Sequence, residues 1–126
     1  MNKIDVAVKT PNGELEFKQI ENTLESFYKE IGCKTIEVVY PLGELEEQGI
    51  IIIGDEEAKL KGLDCNFWLY DKTDCFNGTA VFLFDNNEDF GALKEEHKPF
   101  IKKYLEDNFM NIFEKDAVLK LIKENF

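Results

Sequence analysis

One twelve-residue stretch in the C-terminal half of the chain carries oxygen-bearing side chains at the spacing of a calcium-binding loop. Asp85, Asn87 and Asp89 occupy positions 1, 3 and 5 of this stretch, and Glu96 occupies position 12. An EF-hand loop uses these positions for carboxylate and amide ligands, with a bidentate acid at the last one. One interpretation of the chain is therefore a calcium-binding module.

Two features of the same stretch favour a different interpretation. Position 6, where the sharp turn of an EF-hand requires glycine, is Phe90, and Gly91 follows one residue late. The preceding segment, 80–84, has the pattern of a strand, whereas an EF-hand loop follows a helix. The alternative is an acidic loop that leads from a strand into a helix, whose N-terminal dipole favours Glu95 and Glu96.

The charge balance of the chain is strongly acidic. Twenty-six Asp and Glu residues against fifteen cations give a net charge of −11, and every cation is a lysine because the sequence contains no arginine. This balance argues against direct binding to nucleic acid and against attraction to an anionic membrane surface, since both need a basic patch. Acidic clusters indicate instead a surface for a basic protein partner. The predicted contact residues are Glu44, Glu46, Glu47, Asp55, Glu56 and Glu57.

The side chains that commonly carry catalysis are few and scattered. His97 is the only histidine, and it falls in an apolar stripe that is typical of a half-buried structural residue. No nucleophile, zinc, dinucleotide or P-loop motif is present. With twenty-six acids some carboxylates must lie close together, so an acid–base pair stays open. The sequence favours a non-enzymatic protein without a cofactor, and calcium enters only under the alternative above.

The cysteines and the N-terminal sequence predict a cytoplasmic protein. Cys33, Cys65 and Cys75 are odd in number and form no Cys-x-x-Cys pair, which fits reduced thiols. Residues 1–5 lead straight into an alternating pattern without an apolar signal segment. The longest aliphatic run, 50–53, is far shorter than a membrane span.

Apolar periodicity predicts a hairpin followed by a helix at the N-terminus. Residues 3–20 read as two strands around Pro11-Asn12-Gly13, and Asn-Gly is a strong hairpin signal. The period then becomes that of a helix, with Asn22 as its N-cap and Gly32 just after its end. The apolar stripe of this helix is Leu24, Phe27, Tyr28 and Ile31.

The rest of the chain alternates strands with turns and ends in helices. The predicted elements are strands at 35–40, 49–54, 67–70 and 79–84, an acidic connector at 42–48, a turn-rich segment at 71–78, and helices from near Pro99 and around 118–122. The four isoleucines of 50–53 indicate an interior strand with apolar neighbours on both faces. The predicted fold class is α+β. We expect a single domain over residues 1–126, with the hairpin and helix on a mixed sheet that is compatible with a β-grasp-like core.

Four segments of this chain have sequence patterns that also occur together in other proteins. They are Ile36-Glu37-Val38-Val39, Asp55–Leu63 followed by Asn66, Gly78-Thr79-Ala80-Val81, and the acidic loop 85–90. With these segments, residues 3–105 resemble a family of small domains of unknown function that is common in phages and mobile elements of Gram-positive bacteria. Residues 106–126 form a C-terminal extension. Ala58 and Phe67 stand where the family has glycine and arginine.

The resemblance implies a mobile-element context and no particular chemistry. Combined with the charge balance, it leads us to expect a non-enzymatic acidic interaction protein that inhibits a basic nucleic-acid-handling host protein. Two alternatives stay open at this point. One is the calcium module of residues 85–96, and the other is a small-ligand-binding domain or enzyme around Asp55–Asn66.

Overall fold

The computed structural model describes residues 2–87 and 89–125. These residues contain eight strands and four α-helices, joined by turns and loops. The strands are β1 (Lys3–Lys9), β2 (Glu16–Glu21), β3 (Ile36–Val39), β4 (Ile50–Asp55), β5 (Cys65–Leu69), β6 (Asp74–Asn77), β7 (Ala80–Asn86) and β8 (Asp89–Gly91). The helices are α1 (Leu24–Ile31), α2 (Glu44–Glu47), α3 (Lys98–Asp107) and α4 (Ile112–Asn125), with a 3₁₀ turn at Glu95–His97. These elements confirm the α+β class.

Six strands form one sheet in the order β2–β1–β7–β4–β3, with β8 paired to the end of β7. Every described ladder is antiparallel, so the expected mixed sheet is corrected to an antiparallel one. A β-grasp-like core, which contains a parallel strand pair, is not formed by these ladders. Short links account for three of these ladders, β1–β2, β3–β4 and β7–β8, because they leave no room for the crossover that a parallel pair needs.

One face of the sheet is covered by α1. The side-chain oxygen of Thr23 caps this helix by accepting the N–H of Ser26 at 3.1 Å, and Gly32 ends it with a φ of 79°. The predicted cap, Asn22, instead donates its side-chain amide to the carbonyl oxygen of Phe90 at 3.1 Å. The apolar cluster between α1 and the sheet includes Val6, Phe27, Ile31, Ile53 and Val81.

The other face of the sheet is covered by the β5–β6 hairpin and by α3. Phe67 of β5 stacks on Phe76 of β6, with ring centroids 5.1 Å apart, and meets Tyr104 of α3 edge-on at 5.8 Å. Alternate residues of the run 50–53 contribute to the two faces, and all four are buried. The prediction of an interior strand is confirmed, since β4 lies between β7 and β3.

Two short elements lie where the sequence predicts only turns or a solvated connector. β6 lies within the turn-rich segment 71–78, and α2 lies within the acidic connector 42–48. Each is fixed by one or two buried side chains in a polar surrounding: Leu45 in α2, and Cys75 and Phe76 in β6. Isolated apolar positions of this kind give no periodicity that a sequence pattern can detect.

The C-terminal helix α4 packs on the outer face of the β5–β6 hairpin. It begins several residues earlier than predicted and places Ile122 in a cluster with Cys65, Cys75 and Met110. The hairpin is therefore covered on both of its faces. Across the described ranges, no helix combines the length and the apolar character needed to cross a lipid bilayer.

Candidate functional site

A groove of about 880 Å³ lies between the edge of the sheet and the β5–β6 hairpin. Three segments form it: β3 with its flanking residues, the turn that follows β4, and the hairpin with its tip. We refer to it as the acidic groove. Its lining residues are Thr35, Glu37, Val38, Val39, Tyr40, Asp55, Glu56, Glu57, Ala58, Lys59, Leu60, Leu69, Tyr70, Asp74, Cys75, Phe76 and Asn77.

Carboxylates dominate the charge of the acidic groove. Five of its lining residues are acidic and one is a lysine, Lys59. Desolvation raises the pKa of Glu37 above its usual value, and the negative charges of Glu56 and Asp74 add to this rise, whereas Lys59 opposes it. A raised carboxyl pKa means that the negative form is disfavoured where it stands. A cation placed beside Glu37 would therefore stabilise its ionised form.

Lys59 crosses the floor of the groove and ties the turn after β4 to β6. Its Nζ lies 3.3 Å from Oδ1 of Asp74 and donates to the carbonyl oxygen of Cys75 at 2.9 Å. The main-chain N–H of Cys75 donates to Oδ1 of Asp74 at 2.7 Å. Side chains therefore occupy the polar groups of Cys75 on the edge of β6 that faces the groove.

Asp55 has a structural role at the wall of the groove. The residue is only 2% exposed, its Oδ1 accepts the N–H of Glu57 at 2.9 Å, and its Oδ2 accepts Nζ of Lys61 at 2.6 Å. Both carboxylate oxygens are bound within the fold, so Asp55 does not present the free charged group that its prediction as a contact residue assumes. Glu56 and Glu57 are exposed and line the groove.

The other three predicted contact residues lie on α2. Glu44, Glu46 and Glu47 are exposed, and Oε1 of Glu44 pairs with Nζ of Lys103 in α3 at 3.1 Å. Leu45, between them, is buried and anchors the helix. The lining of the acidic groove includes none of the three glutamates. The predicted contact residues therefore divide into two groups, one on α2 and one at the turn after β4.

Sequence reasoning missed Glu37 and Asp74 as members of the site. The two residues come from separate elements, β3 and β6, and they line one groove only because the hairpin folds over the sheet edge. One local signal was present, since Glu37 is an acid at the centre of a strand rich in β-branched residues. Such a residue marks an exposed strand edge.

The four predicted calcium ligands lie in two separate parts of the structure. Asp85 and Asp89 lie in the paired ends of β7 and β8, and Asn87 between them has a φ of 63°. Glu96 lies in the 3₁₀ turn before α3. Among residues 2–87 and 89–125, no three His, Cys, Asp or Glu side chains are grouped so that they could hold a metal ion. The segment leads from β7 into the short strand β8 and only then into the 3₁₀ turn, so it differs both from an EF-hand loop and from a loop that runs directly from a strand into a helix.

His97 and two of the cysteines are packed inside the fold. His97 is 3% exposed, stacks on Phe84 with centroids 5.3 Å apart, and accepts the main-chain N–H of Lys94 at its Nδ1, at 3.0 Å. Burial lowers the pKa of His97. The sulfur atoms of Cys65 and Cys75 lie 3.5 Å apart in the cluster beneath α4. These contacts give all three side chains a role in packing.

Comparison with known proteins places the chain in a family. No curated protein and no solved structure matches it significantly. A match does exist to the family described as Domain of unknown function (DUF3846), over residues 3–108. The matched region runs from β1 to the end of α3, so it includes the whole acidic groove and leaves α4 outside. Because the match covers most of the sequence, it confirms that the chain belongs to a family of domains of unknown function.

Proposed function

We propose that this chain is a non-enzymatic interaction protein that binds a basic protein partner through its acidic groove. The observation that carries the proposal is the groove itself, a space of about 880 Å³ whose lining includes four exposed carboxyl side chains, besides the buried Asp55, and one lysine. Complementary charge speeds encounter and selects the partner. The net charge of −11 gives the rest of the molecule the same sign.

Exposed apolar side chains at the rim of the groove supply a second kind of contact. Tyr40 is 58% exposed, Leu60 is 66% exposed and Tyr70 is 37% exposed. Aromatic side chains are enriched at protein interfaces, where they bury area at low entropic cost. The partner that fits best therefore carries lysine or arginine next to apolar residues.

The resemblance to a family common in phages and mobile elements supports one class of partner. A nucleic-acid-handling protein of the host carries a basic surface that neutralises phosphates. A protein that occupies this surface with carboxylates competes with the nucleic acid. We propose inhibition of such a host protein as the outcome of binding.

The same groove supports a second candidate, the binding of a small cationic ligand such as a polyamine. Its volume falls in the range of roughly 300–1,000 Å³ that is typical of small-molecule sites. The turn after β4, within the segment predicted for this function, forms one wall. The lining is charged and open at the rim, which favours a macromolecular partner over a small molecule.

Capture experiments with matched charge variants test the first candidate. Glu56→Lys with Glu57→Lys reverses two charges in the groove, and Glu14→Lys with Glu124→Lys reverses two exposed charges outside it. From a lysate of a low-GC Gram-positive bacterium, we expect the native chain and the control variant to retain a basic protein at about 50 mM salt and to release it at about 500 mM. The groove variant should not retain it. Equal capture by both variants would contradict the proposal.

Titration with spermine tests the second candidate. Amide chemical shifts of the groove residues should move and saturate if a polyamine binds there. Unchanged shifts in the presence of a large excess of spermine would remove the small-ligand function and leave the protein partner.

A further inference from the structure

We propose that the partner inserts an extended, lysine- or arginine-bearing segment into the acidic groove, where it pairs with β3 as an additional strand. This inference rests on the proposed function and specifies how the basic partner is held. Addition of a strand to an exposed sheet edge is a recurring mode of peptide recognition, in which main-chain hydrogen bonds give affinity and alternate side chains give specificity. Three features of β3 support it.

The first feature is the direction of the main-chain polar groups of β3. In the β3–β4 ladder the N–H of Glu56 donates to the carbonyl oxygen of Thr35 at 3.2 Å, and these two residues extend the register in which Ile36 opposes Asp55. Residues of an antiparallel strand alternate between bonding to the partner strand and facing away from it. The N–H and C=O groups of Ile36 and Val38 therefore point away from β4.

The hydrogen bonds on the other side of β4 agree with this alternation. The N–H of Asp85 donates to the carbonyl oxygen of Gly49 at 2.8 Å, which continues the register of the β4–β7 ladder. Ile51 and Ile53 then bond to β7, and Ile52 and Gly54 bond to β3. Within the described chain, no hydrogen bond reaches the main-chain groups of Ile36 or Val38 on the outer side. The main-chain N–H and C=O groups of Ile36 and Val38 therefore form an unpaired strand edge, which we call the vacant edge.

The second feature is the contrast with the facing edge of the groove. On β6, Lys59 and Asp74 already occupy the carbonyl oxygen and the N–H of Cys75. An incoming strand can therefore pair with β3 and cannot pair with β6 at this position. The groove offers one vacant edge and one closed wall.

The third feature is charge. The side chain of Val39 packs on the hairpin side of the sheet, and alternation places Glu37 on the same side, inside the groove. A strand added to β3 presents every second side chain to this side, where Glu37 lies with Glu56 and Asp74 close enough to act on its charge. Lysine or arginine at alternate positions of the added strand would meet these carboxylates.

The opposite edge of the sheet, β2, carries charges of both signs, Glu16, Lys18 and Glu21. The cavity beside β2 is lined by Lys18, Lys94 and Lys98 together with Asp5 and Glu95. Lys18 of β2 already pairs with Glu16 and Glu30, and Lys98 pairs with Glu95, so the excess of carboxylates in the acidic groove distinguishes the β3 edge for a basic strand. The proposal therefore commits to β3.

A synthetic peptide tests the mode of binding. The probe is a capped ten-residue peptide of alternating lysine and threonine, and its matched control carries N-methyl groups on the four central residues. N-methylation keeps the charge and removes the N–H donors on both edges of the strand. We expect the control to bind at least about tenfold more weakly, because several main-chain hydrogen bonds are lost. Hydrogen exchange of the Ile36 and Val38 amides should slow in the presence of the unmodified peptide.

Charge variants of the protein complete the test. Glu37→Lys should weaken binding of the unmodified peptide about tenfold, whereas Glu14→Lys, on the loop after β1, should leave it unchanged. Equal affinity for the two peptides, with no slowing of exchange at Ile36 and Val38, would overturn strand addition while leaving the acidic groove as a site for basic partners. Absence of binding of either peptide at low salt would overturn both proposals.

Discussion

The carboxylate of Asp55 lies 2.6 Å from Nζ of Lys61 and closes the turn that forms one wall of the acidic groove. The two ends of this ion pair have different surroundings, since the side chain of Asp55 is 1% exposed and that of Lys61 is 41% exposed. The acid also accepts the N–H of Glu57. Asp55 therefore contributes more than Lys61 to holding the turn in place.

Removal of each partner should have an unequal effect on stability. We expect Asp55→Ala to lower the free energy of unfolding by about 1–3 kcal/mol, because the N–H of Glu57 is left without its acceptor. Lys61→Ala should cost less than Asp55→Ala, since the lysine lies at the solvent and water can take its place beside the carboxylate. Urea unfolding of the two variants measures both values. An equal loss in the two would show that the ion pair alone holds the turn.

The close approach of Gly54 to Phe76 gives a second prediction. A Cβ atom on Gly54 would collide with Cζ of the Phe76 ring, so β4 admits only glycine where the hairpin rests on it. We expect Gly54→Ala to destabilise the protein by about 1–3 kcal/mol. The double variant Gly54→Ala with Phe76→Leu should recover part of this loss, because the smaller side chain makes room. Thermal unfolding of the native protein, the Gly54→Ala variant and the double variant tests this prediction. A Gly54→Ala variant as stable as the native protein would contradict it.

The three thiols should differ in reactivity. Cys33 is partly exposed, whereas Cys65 and Cys75 are buried, so a reagent in solution has direct access to Cys33 alone of the three. Only an accessible thiolate reacts quickly. A disulfide reagent should therefore modify one thiol rapidly in the native protein and all three in urea. Cys33→Ser should remove the rapid phase, and a second rapid equivalent in the native chain would contradict the packing beneath α4.

The stability of the protein should fall in mild acid because of His97. Burial lowers the folded-state pKa of this imidazole, so the unfolded chain binds the proton first as the pH decreases. The loss begins near the unfolded value of about 6.5 and continues until the folded-state pKa is reached. His97→Gln removes the titration. The difference in free energy of unfolding between the native chain and this variant should shrink from about pH 7 to about pH 5, and parallel curves would contradict it.

Sequence patterns predicted the elements that depend on local contacts. The Asn12-Gly13 turn predicted the β1–β2 hairpin, and the isoleucine run predicted an interior strand. The N-cap of α1 shows that neighbouring residues alone do not always determine a local structure. Asn22 and Thr23 are both good caps by type, and a distant contact with Phe90 draws the side chain of Asn22 away from the helix.

The acidic groove could be predicted only in part for the same reason. Glu56 and Glu57 are adjacent in the chain and were recognised as a cluster. Glu37 and Asp74 are 37 positions apart and meet across the groove because the β5–β6 hairpin folds onto the sheet. The burial of Asp55 likewise depends on tertiary packing and on Lys61, so an acidic residue that looked exposed in the sequence is structural.

The position of Glu37 at the centre of β3 opposes pairing of this edge with the same edge of a second copy. Two molecules that joined antiparallel through their β3 edges would place one Glu37 against the other, and like charges in such a pair repel. The same carboxylate would attract a basic strand. The carboxylate of Glu37 thus disfavours β3–β3 pairing between two copies and favours pairing with a basic strand. An unpaired strand edge of this kind can remain exposed without leading to edge-to-edge assembly of the protein.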